Sequence, residues 1–141
     1  MTTLETIRKL LKESNNPLFF YDDDPDGLVS YLLLKRGFDK GTGIIIRVRG
    51  TSFNEEELYL NKIEEYNPDC IFVLDRAEIS QEMIDSVNVP VIWIDHHPVL
   101  ERKKVKYFNP RIHEKTDSRP VSYWCYKLVN NNSWIAMVGS I

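Results

Sequence analysis

Short apolar runs alternate with amphipathic segments along the chain. Residues 18–21, 44–48, 70–74 and 89–94 are rich in β-branched and aromatic side chains, and most of their consecutive positions are apolar. Such runs indicate strands that are buried on both faces, whereas a half-buried strand would alternate apolar and polar residues. A further short strand is predicted at residues 106–108.

The segments between these runs carry apolar residues at helical spacing. Asn54 and Ser80 stand where helices would begin and can cap them, and Gly37 is expected to end the second helix. Strands separated by helices form a parallel sheet that is covered on both faces, so we predict an α/β fold with about five parallel strands. The predicted helices occupy residues 3–14, 27–36, 54–66, 80–87, 118–130 and 133–141.

Composition limits the class of protein. The chain has 141 residues, of which 43% are hydrophobic and 28% charged, which predicts one folded domain and excludes disorder throughout. No apolar run reaches the roughly 18 residues that a membrane span requires, and the N-terminus lacks the pattern of a secretory signal. Cys70 and Cys125 form no CxxC motif, so we expect two reduced core thiols in a cytoplasmic protein without a membrane partner.

Charge is distributed unevenly along the chain. Residues 1–100 contain 18 acidic and ten basic side chains, whereas residues 101–141 contain three acidic and eight basic ones. An acidic part beside a basic segment suits a site that holds metal ions with one part and a polyanion with the other. A basic surface loop without a ligand is the alternative interpretation.

Three of the predicted strands run directly into aspartate. The loop DDDPDG at 22–27 follows one strand, Asp75 follows another, and Asp95-His96-His97 follows a third. Because the carboxyl ends of parallel strands share one edge of the sheet, we expect these side chains to converge there. Two carboxylates at about 4 Å repel each other by roughly 4 kcal/mol at an effective dielectric near 20, so either the carboxylates diverge into solvent or divalent cations neutralise them.

The side-chain chemistry narrows the choice of metal. Carboxylate oxygen and imidazole nitrogen suit Mn²⁺, Mg²⁺, Fe²⁺ or Zn²⁺. Two such ions about 3.5–4 Å apart, bridged by a carboxylate, are a common device for hydrolysing phosphate esters. A single aspartate after a strand is often only a turn residue or a helix cap, so the hypothesis depends on the convergence of three strand ends.

Two other kinds of site share parts of this pattern. The DxDxDG spacing at 22–27 resembles the start of an EF-hand calcium loop, but the position that needs a glutamate is Leu33. A phosphoacceptor receiver domain also has an acidic pair after its first strand and an aspartate, here Asp75, after its third. Receivers place Ser or Thr after the fourth strand, whereas this chain has histidines at 96–97.

Basic side chains near the strand ends are candidates for substrate contacts. Arg47 and Arg49 lie two positions apart in a predicted strand, so they should share a face and could hold a phosphate. An exposed strand edge is the alternative, and Arg111 is a further candidate. Adjacent side chains at a strand end are expected to diverge, so His96 and His97 should not bind one ion together.

The order of these motifs resembles the DHH phosphoesterase superfamily. Asp-His-His at 95–97 is similar to the signature that names the superfamily, and DDDPDG at 22–27 resembles its first motif in the form of the RecJ single-strand exonucleases. VLDRAEIS at 73–80 resembles the second motif, and FNPR at 108–111 and SYWCYKLV at 122–129 resemble the segments that follow the signature. The resemblance spans nearly the whole chain.

The resemblance implies a phosphodiesterase with two Mn²⁺ or Mg²⁺ ions. Asp75 would bridge the ions, Asp95 would orient His96 or lie close to the metals, and His97 would contact the scissile phosphate. Asp95 and His97 are therefore the candidate catalytic residues. The implied metal ligands are Asp22 and Asp24 for one ion, Asp26 and His96 for the other, and Asp75 for both.

The resemblance also implies a function on single-stranded nucleic acid, together with replication or repair proteins. Phe20 stands where the pyrophosphatases and nanoRNases of the superfamily carry histidine, which favours the RecJ-like branch. The alternatives are a phosphodiesterase for oligonucleotides or cyclic dinucleotides, and a non-catalytic scaffold subunit of the replicative helicase. The family has a fourth acidic motif and a second domain, so we expect residues 1–141 to be a catalytic domain that is incomplete at its C-terminus and weakly active alone.

Overall fold

The computed structural model describes residues 1–47 and 54–130. The predicted helix at 133–141 therefore lies outside the described residues. In chain order, the elements are α1 (Leu4–Glu13), β1 (Pro17–Asp22), α2 (Pro25–Phe38), β2 (Thr42–Ile46), α3 (Glu55–Tyr66), β3 (Cys70–Leu74), α4 (Gln81–Asp85), β4 (Val91–Ile94), β5 (Lys106–Phe108), a 3₁₀ helix (Pro110–Ile112) and α5 (Val121–Val129).

The five strands form one parallel sheet in the order β2-β1-β3-β4-β5, which confirms the predicted α/β class. Strand β2 pairs with one edge of β1, and β3 pairs with the other edge. The strand order therefore reverses between β1 and β3. Tyr21 pairs with Leu74, and the next residues, Asp22 and Asp75, follow side by side. Ligands of open parallel sheets bind in the crevice at such a switch point.

Side chains of the strands alternate between two cores, one on each face of the sheet. Helices α1, α2 and α5 cover one face, and α3 and α4 cover the other. The predicted burial on both faces is therefore confirmed for β1, β3 and β4, whereas the edge strand β2 is half-buried except at Ile46. Phe19, Phe72 and Ile92 belong to the first core, and Phe20, Val73 and Trp93 belong to the second.

The end of α2 differs from the sequence-based expectation. The helix does not end at Gly37 but continues to Phe38, and its C-cap Asp39 adopts a left-handed φ of 53°. A Cβ atom at Gly37 would lie 2.0 Å from Cγ1 of Val129 in α5. The glycine therefore permits the close approach of two helices, and the left-handed Asp39 ends the helix.

Both cysteines are buried and free, as expected of core thiols. Burial raises the pKa of the Cys70 thiol to about 12 and raises that of Cys125 as well. Neither thiol is therefore ionised near neutral pH. In residues 1–47 and 54–130, no helix combines the length and the apolar character that a membrane crossing requires.

Candidate metal centre

Asp75 lies directly after β3, and its side chain is fully buried. Its φ of 59° is in the left-handed region, which residues other than glycine rarely adopt. Neither carboxylate oxygen makes a well-aligned hydrogen bond in the described part of the chain, and its close polar neighbour is an imidazole nitrogen of His96. A buried carboxylate with such incomplete hydrogen bonding, on a strained backbone, is unfavourable for the fold alone. The placement of Asp75 therefore fits a residue that binds a cation.

His96 lies against this carboxylate, and His97 lies beside His96. His96 Nε2 is 3.1 Å from Asp75 Oδ1 and 3.6 Å from Asp26 Oδ2. One potential ligand atom from each of Asp75, His96 and His97 lies within 4.8 Å of the others. The two imidazole rings are 4.7 Å apart, so the side chains do not diverge as expected, and the expectation that they do not bind one ion together stays a prediction.

The protonation of Asp75 and His96 is linked. Burial raises the pKa of Asp75 to about 8, and contact with the Asp75 carboxylate raises the pKa of His96 to about 9. Without a cation the pair therefore holds at least one proton near neutral pH. Metal binding requires an ionised carboxylate and a neutral imidazole, so a divalent cation would displace that proton.

A second group of carboxylates shares Asp75. Asp22, Asp24 and Asp75 each place one oxygen within 4.8 Å of the others. Asp24 also caps α2, since its Oδ1 accepts the backbone N–H of Gly27 at 2.8 Å. A Cβ atom at Gly27 would lie 2.3 Å from the carbonyl oxygen of Asp22, so glycine permits the start of α2 to pack against the end of β1. The two groups together resemble a pair of cation positions bridged by one carboxylate.

Asp26 also has a structural role that the sequence did not predict. Its Oδ2 accepts the backbone N–H of Val121 at 2.9 Å, and its Oδ1 accepts that of Ser122 at 2.8 Å. The N-cap residue of α5, Pro120, makes no side-chain cap hydrogen bond, so Asp26 caps α5 from the neighbouring helix. Each carboxylate oxygen has a second lone pair, so Asp26 can cap α5 and also face His96.

Replacing Asp26 with alanine should lower the free energy of unfolding in EDTA by about 2 kcal/mol, because the α5 cap is lost. Urea denaturation of the metal-free protein measures this difference. The exposed neighbour Asp23 provides the control, since Asp23→Ala should change the free energy by less than about 0.5 kcal/mol. An Asp26→Ala variant as stable as the wild type in EDTA would show that the cap contributes nothing.

Asp95 contacts His97, not His96 as the family resemblance led us to consider. The Asp95 side chain is buried, and its Oδ1 lies 2.6 Å from His97 Nδ1. Its Oδ2 accepts the backbone N–H of His97 at 3.2 Å. Burial raises the pKa of Asp95, and the hydrogen bond from His97 opposes that rise. With Nδ1 held by Asp95, Nε2 is the ring nitrogen of His97 that remains for a ligand.

Sequence reasoning missed two residues that support the site. The buried side chain of Asn109 donates to the His97 carbonyl at 2.8 Å and to the Tyr107 hydroxyl at 2.9 Å. Asn109 belongs to the FNPR segment, in which only Arg111 was a candidate; Arg111 is half-buried and donates its backbone N–H to Asn109. Arg76 is the second missed residue, and its only sequence signal is its position directly after Asp75.

The remaining candidates lie at different distances from the centre. Arg47 is exposed and directly follows β2, whose last residue Ile46 pairs with Asp22, so Arg47 lies at the edge of the sheet that carries the candidate ligands. Arg49 lies outside the described residues. That Arg47 and Arg49 share a face therefore stays a prediction. His113 is exposed after the 3₁₀ helix.

A cavity of about 400 Å³ opens beside the centre. It gives solvent and small ions access to the switch point of the sheet. Carboxylates dominate its wall, and Arg76 is the one arginine or lysine among the described residues that line it. The lining residues are Asp22, Glu55, Glu56, Tyr59, Asp75, Arg76, Ala77, Glu78, Ser80 and His97.

A family model described as the DHH family, N-terminal domain, matches residues 18–133. None of the curated proteins compared with the chain matches it.

Several solved structures are similar to this fold. The structure of exonuclease RecJ bound to manganese has a TM-score of 0.75 and 20% identity, over 92% of this chain and 37% of that one. RecJ from Thermus thermophilus in complex with Mn²⁺ has a TM-score of 0.74 and 18% identity, over 98% and 24%. Cdc45 from Entamoeba histolytica has a TM-score of 0.63 and 17% identity, over 96% and 31%. This chain therefore spans only about a quarter to two fifths of their lengths, and the likeness shows the fold alone.

Proposed function

The chain belongs to the DHH family, as its sequence motifs suggested, and we propose that it is the metal-binding catalytic part of a phosphodiesterase that cleaves single-stranded nucleic acid. The family and the fold support a phosphoesterase. The observation that carries the proposal is Asp75, whose buried carboxylate makes no well-aligned hydrogen bond among the described residues, lies 3.1 Å from His96 Nε2 and belongs to both groups of candidate ligands. The donor set of carboxylates and imidazoles fits Mn²⁺ or Mg²⁺.

The proposed roles follow from the contacts of each side chain. Asp22, Asp24 and Asp75 would hold one ion, and Asp75 with His96 and Asp26 the other. When bound, divalent ions activate water and stabilise the charge that develops on a phosphate.

His97 is proposed to contact the scissile phosphate. Asp95 fixes the His97 ring through Nδ1, so Nε2 is the ring nitrogen that remains for contact with the phosphate. Asn109 holds the His97 carbonyl and therefore the backbone of this loop.

The direct test is cleavage of end-labelled single-stranded DNA, single-stranded RNA and cyclic dinucleotides in Mn²⁺ and in EDTA. We expect Mn²⁺-dependent release of nucleotides from single strands, and none from the cyclic dinucleotide. Asp75→Asn should abolish cleavage, whereas the exposed Asp23→Asn should leave it unchanged. Cleavage that persists in EDTA, or that is equal in Asp75→Asn, would contradict the proposal, and cleavage of cyclic dinucleotides alone would favour the alternative substrate class.

A non-catalytic scaffold is the second candidate, because the fold is also similar to that of Cdc45. A scaffold has no need for a buried carboxylate beside two histidines, so the candidate metal centre argues against this function. Mn²⁺ titration separates the two candidates. Binding of single-stranded DNA without any binding of Mn²⁺ would favour the scaffold.

Arg47 gives a prediction about the nucleic acid itself. Its side chain is exposed at the edge that carries the metal centre, so we expect it to contact a phosphate of the bound strand. Arg47→Gln should reduce the slope of log affinity against log salt by about one unit, since one fewer counterion is released. The measurement is single-stranded DNA binding at several salt concentrations, and the exposed Arg36 on α2 provides the control. An unchanged slope would indicate an uninvolved strand edge.

A further inference from the structure

Arg76 joins three elements around the metal centre. It directly follows Asp75, and its guanidinium donates to Asp22 at the end of β1 and to Glu55 in the first turn of α3. Its side chain is only 14% exposed. Its carbonyl oxygen accepts the indole N–H of Trp93 at 2.9 Å. Both ends of Arg76 are therefore fixed by neighbouring elements.

The charge of Arg76 is balanced by Glu55. The two side chains form an ion pair beside the centre, and the Tyr59 hydroxyl donates to the same Glu55 oxygen at 3.3 Å. A neutral pair changes the local charge little, so its main effect on a nearby cation is on geometry. A planar guanidinium with two donor nitrogens can span two carboxylates in a way that a lysine ammonium cannot.

We propose that Arg76 is a positioning residue for the ion held by Asp22. Its Nη1 donates to Oδ1 of Asp22, which fixes the rotation of that carboxylate and leaves the other oxygen for the cation. The inference rests on the proposed metal centre and assigns a role that neither the strand-end pattern nor the family signature gave to this residue. Groups that orient a metal ligand typically contribute about 10–100-fold to metal affinity.

Electrostatic repulsion between Arg76 and the cation would change the affinity in the opposite direction. A guanidinium about 6 Å from a divalent cation repels it by several kcal/mol at an effective dielectric near 20, so removing it would strengthen binding. The compensating Glu55 argues against this outcome. The direction of the affinity change therefore distinguishes orientation from repulsion.

The test is titration of the protein with Mn²⁺ by calorimetry, and by electron paramagnetic resonance of the free ion. We expect Arg76→Gln to weaken one step of Mn²⁺ binding by about 10–100-fold. Arg76→Lys should lose nearly as much Mn²⁺ affinity, because lysine retains the charge but lacks the two donor nitrogens of the planar guanidinium. Arg8 on α1, which is also half-buried and paired with a glutamate, provides the control, and Arg8→Gln should bind Mn²⁺ as the wild type does. Circular dichroism verifies the fold of each variant.

The outcomes separate this inference from the proposed function. Binding in Arg76→Gln that is unchanged or tighter would overturn the positioning role, and so would wild-type affinity in Arg76→Lys. A wild-type chain that binds no Mn²⁺ would overturn the metal centre itself, and the positioning role with it.

Discussion

Asp75→Asn should stabilise the metal-free protein and remove its response to Mn²⁺. The wild-type carboxylate is buried and makes no well-aligned hydrogen bond in the described part of the chain, although His96 Nε2 lies 3.1 Å from it, and burial raises its pKa to about 8. At neutral pH the unfolded chain ionises this group freely, so the folded state is disfavoured by roughly 2–4 kcal/mol, which His96 partly offsets. Asparagine has nearly the same shape and no charge, so it avoids that cost.

Mn²⁺ should reverse the order of stability. The wild type should gain stability with each increase in Mn²⁺, because the ion binds only the folded state. Asp75→Asn should lose more than about 100-fold in Mn²⁺ affinity, since even residues that only support a ligand contribute about 10–100-fold.

Thermal unfolding in EDTA and in millimolar Mn²⁺ tests both parts of this prediction. The exposed Asp23→Asn removes the same charge from the same region and controls for net charge. An Asp75→Asn variant that is less stable than the wild type in EDTA, and that Mn²⁺ still stabilises, would show that Asp75 is a structural residue and not a metal ligand.

Much of the fold could be predicted from the sequence because its local signals agree. The strand at 70–74 has the predicted bounds, and Asn54 and Ser80 cap α3 and α4 as expected, with Asn54 accepting from Glu57 and Ser80 from Met83. Continuous apolar runs that are separated by capped helices predict a parallel sheet with helices on both faces. These features are local, so a single sequence contains them.

The deviations arise where a distant element determines the local structure. The sequence predicts that α2 ends at Gly37, but Gly37 lies within the helix and leaves room for Val129 of α5. The sequence predicts that α5 starts at residue 118, but the helix starts at Val121, because Asp26 caps it there. The strand at 44–48 ends at Ile46, so Arg47 lies beyond it. None of these partners is adjacent in sequence.

Some features of the candidate site could likewise be predicted from the sequence, whereas others could not. The strand-end rule places Asp22 and Asp75 together, because register and topology follow from the order of the strands. The same rule cannot say which carboxylate each histidine or arginine contacts. Asp95 contacts His97, and Arg76 contacts Asp22 and Glu55, because backbone turns after the strands set these directions.

The topology alone does not separate this chain from the receiver alternative. The order 2-1-3-4-5 is common to doubly wound folds with different functions. The distinguishing residues are His96, which lies against Asp75, and His97 beside it, since a receiver would place Ser or Thr after the fourth strand. The site, more than the fold, therefore supports a metal-dependent reaction.

Mn²⁺ affinity should rise steeply with pH and level off near pH 9. Without metal, Asp75 and His96 together hold at least one proton at neutral pH, because burial raises the pKa of Asp75 to about 8 and contact with Asp75 raises that of His96 to about 9. Each proton that Mn²⁺ displaces changes the affinity about tenfold per pH unit below those values. Between pH 6 and pH 8, affinity should therefore increase by about 100-fold for one displaced proton.

The same two shifts determine how the stability of the metal-free protein depends on pH. Both pKa values are raised in the folded state, so the folded state binds more protons than the unfolded state between about pH 4 and pH 9. The free energy of unfolding in EDTA should therefore fall as pH rises through this range, and His96→Gln combined with Asp75→Asn should flatten that dependence. Calorimetry of Mn²⁺ binding in two buffers with different ionisation enthalpies counts the released protons. If no proton is released at pH 7, Asp75 is already ionised and His96 already neutral in the metal-free protein, and competition between proton and metal does not govern this centre.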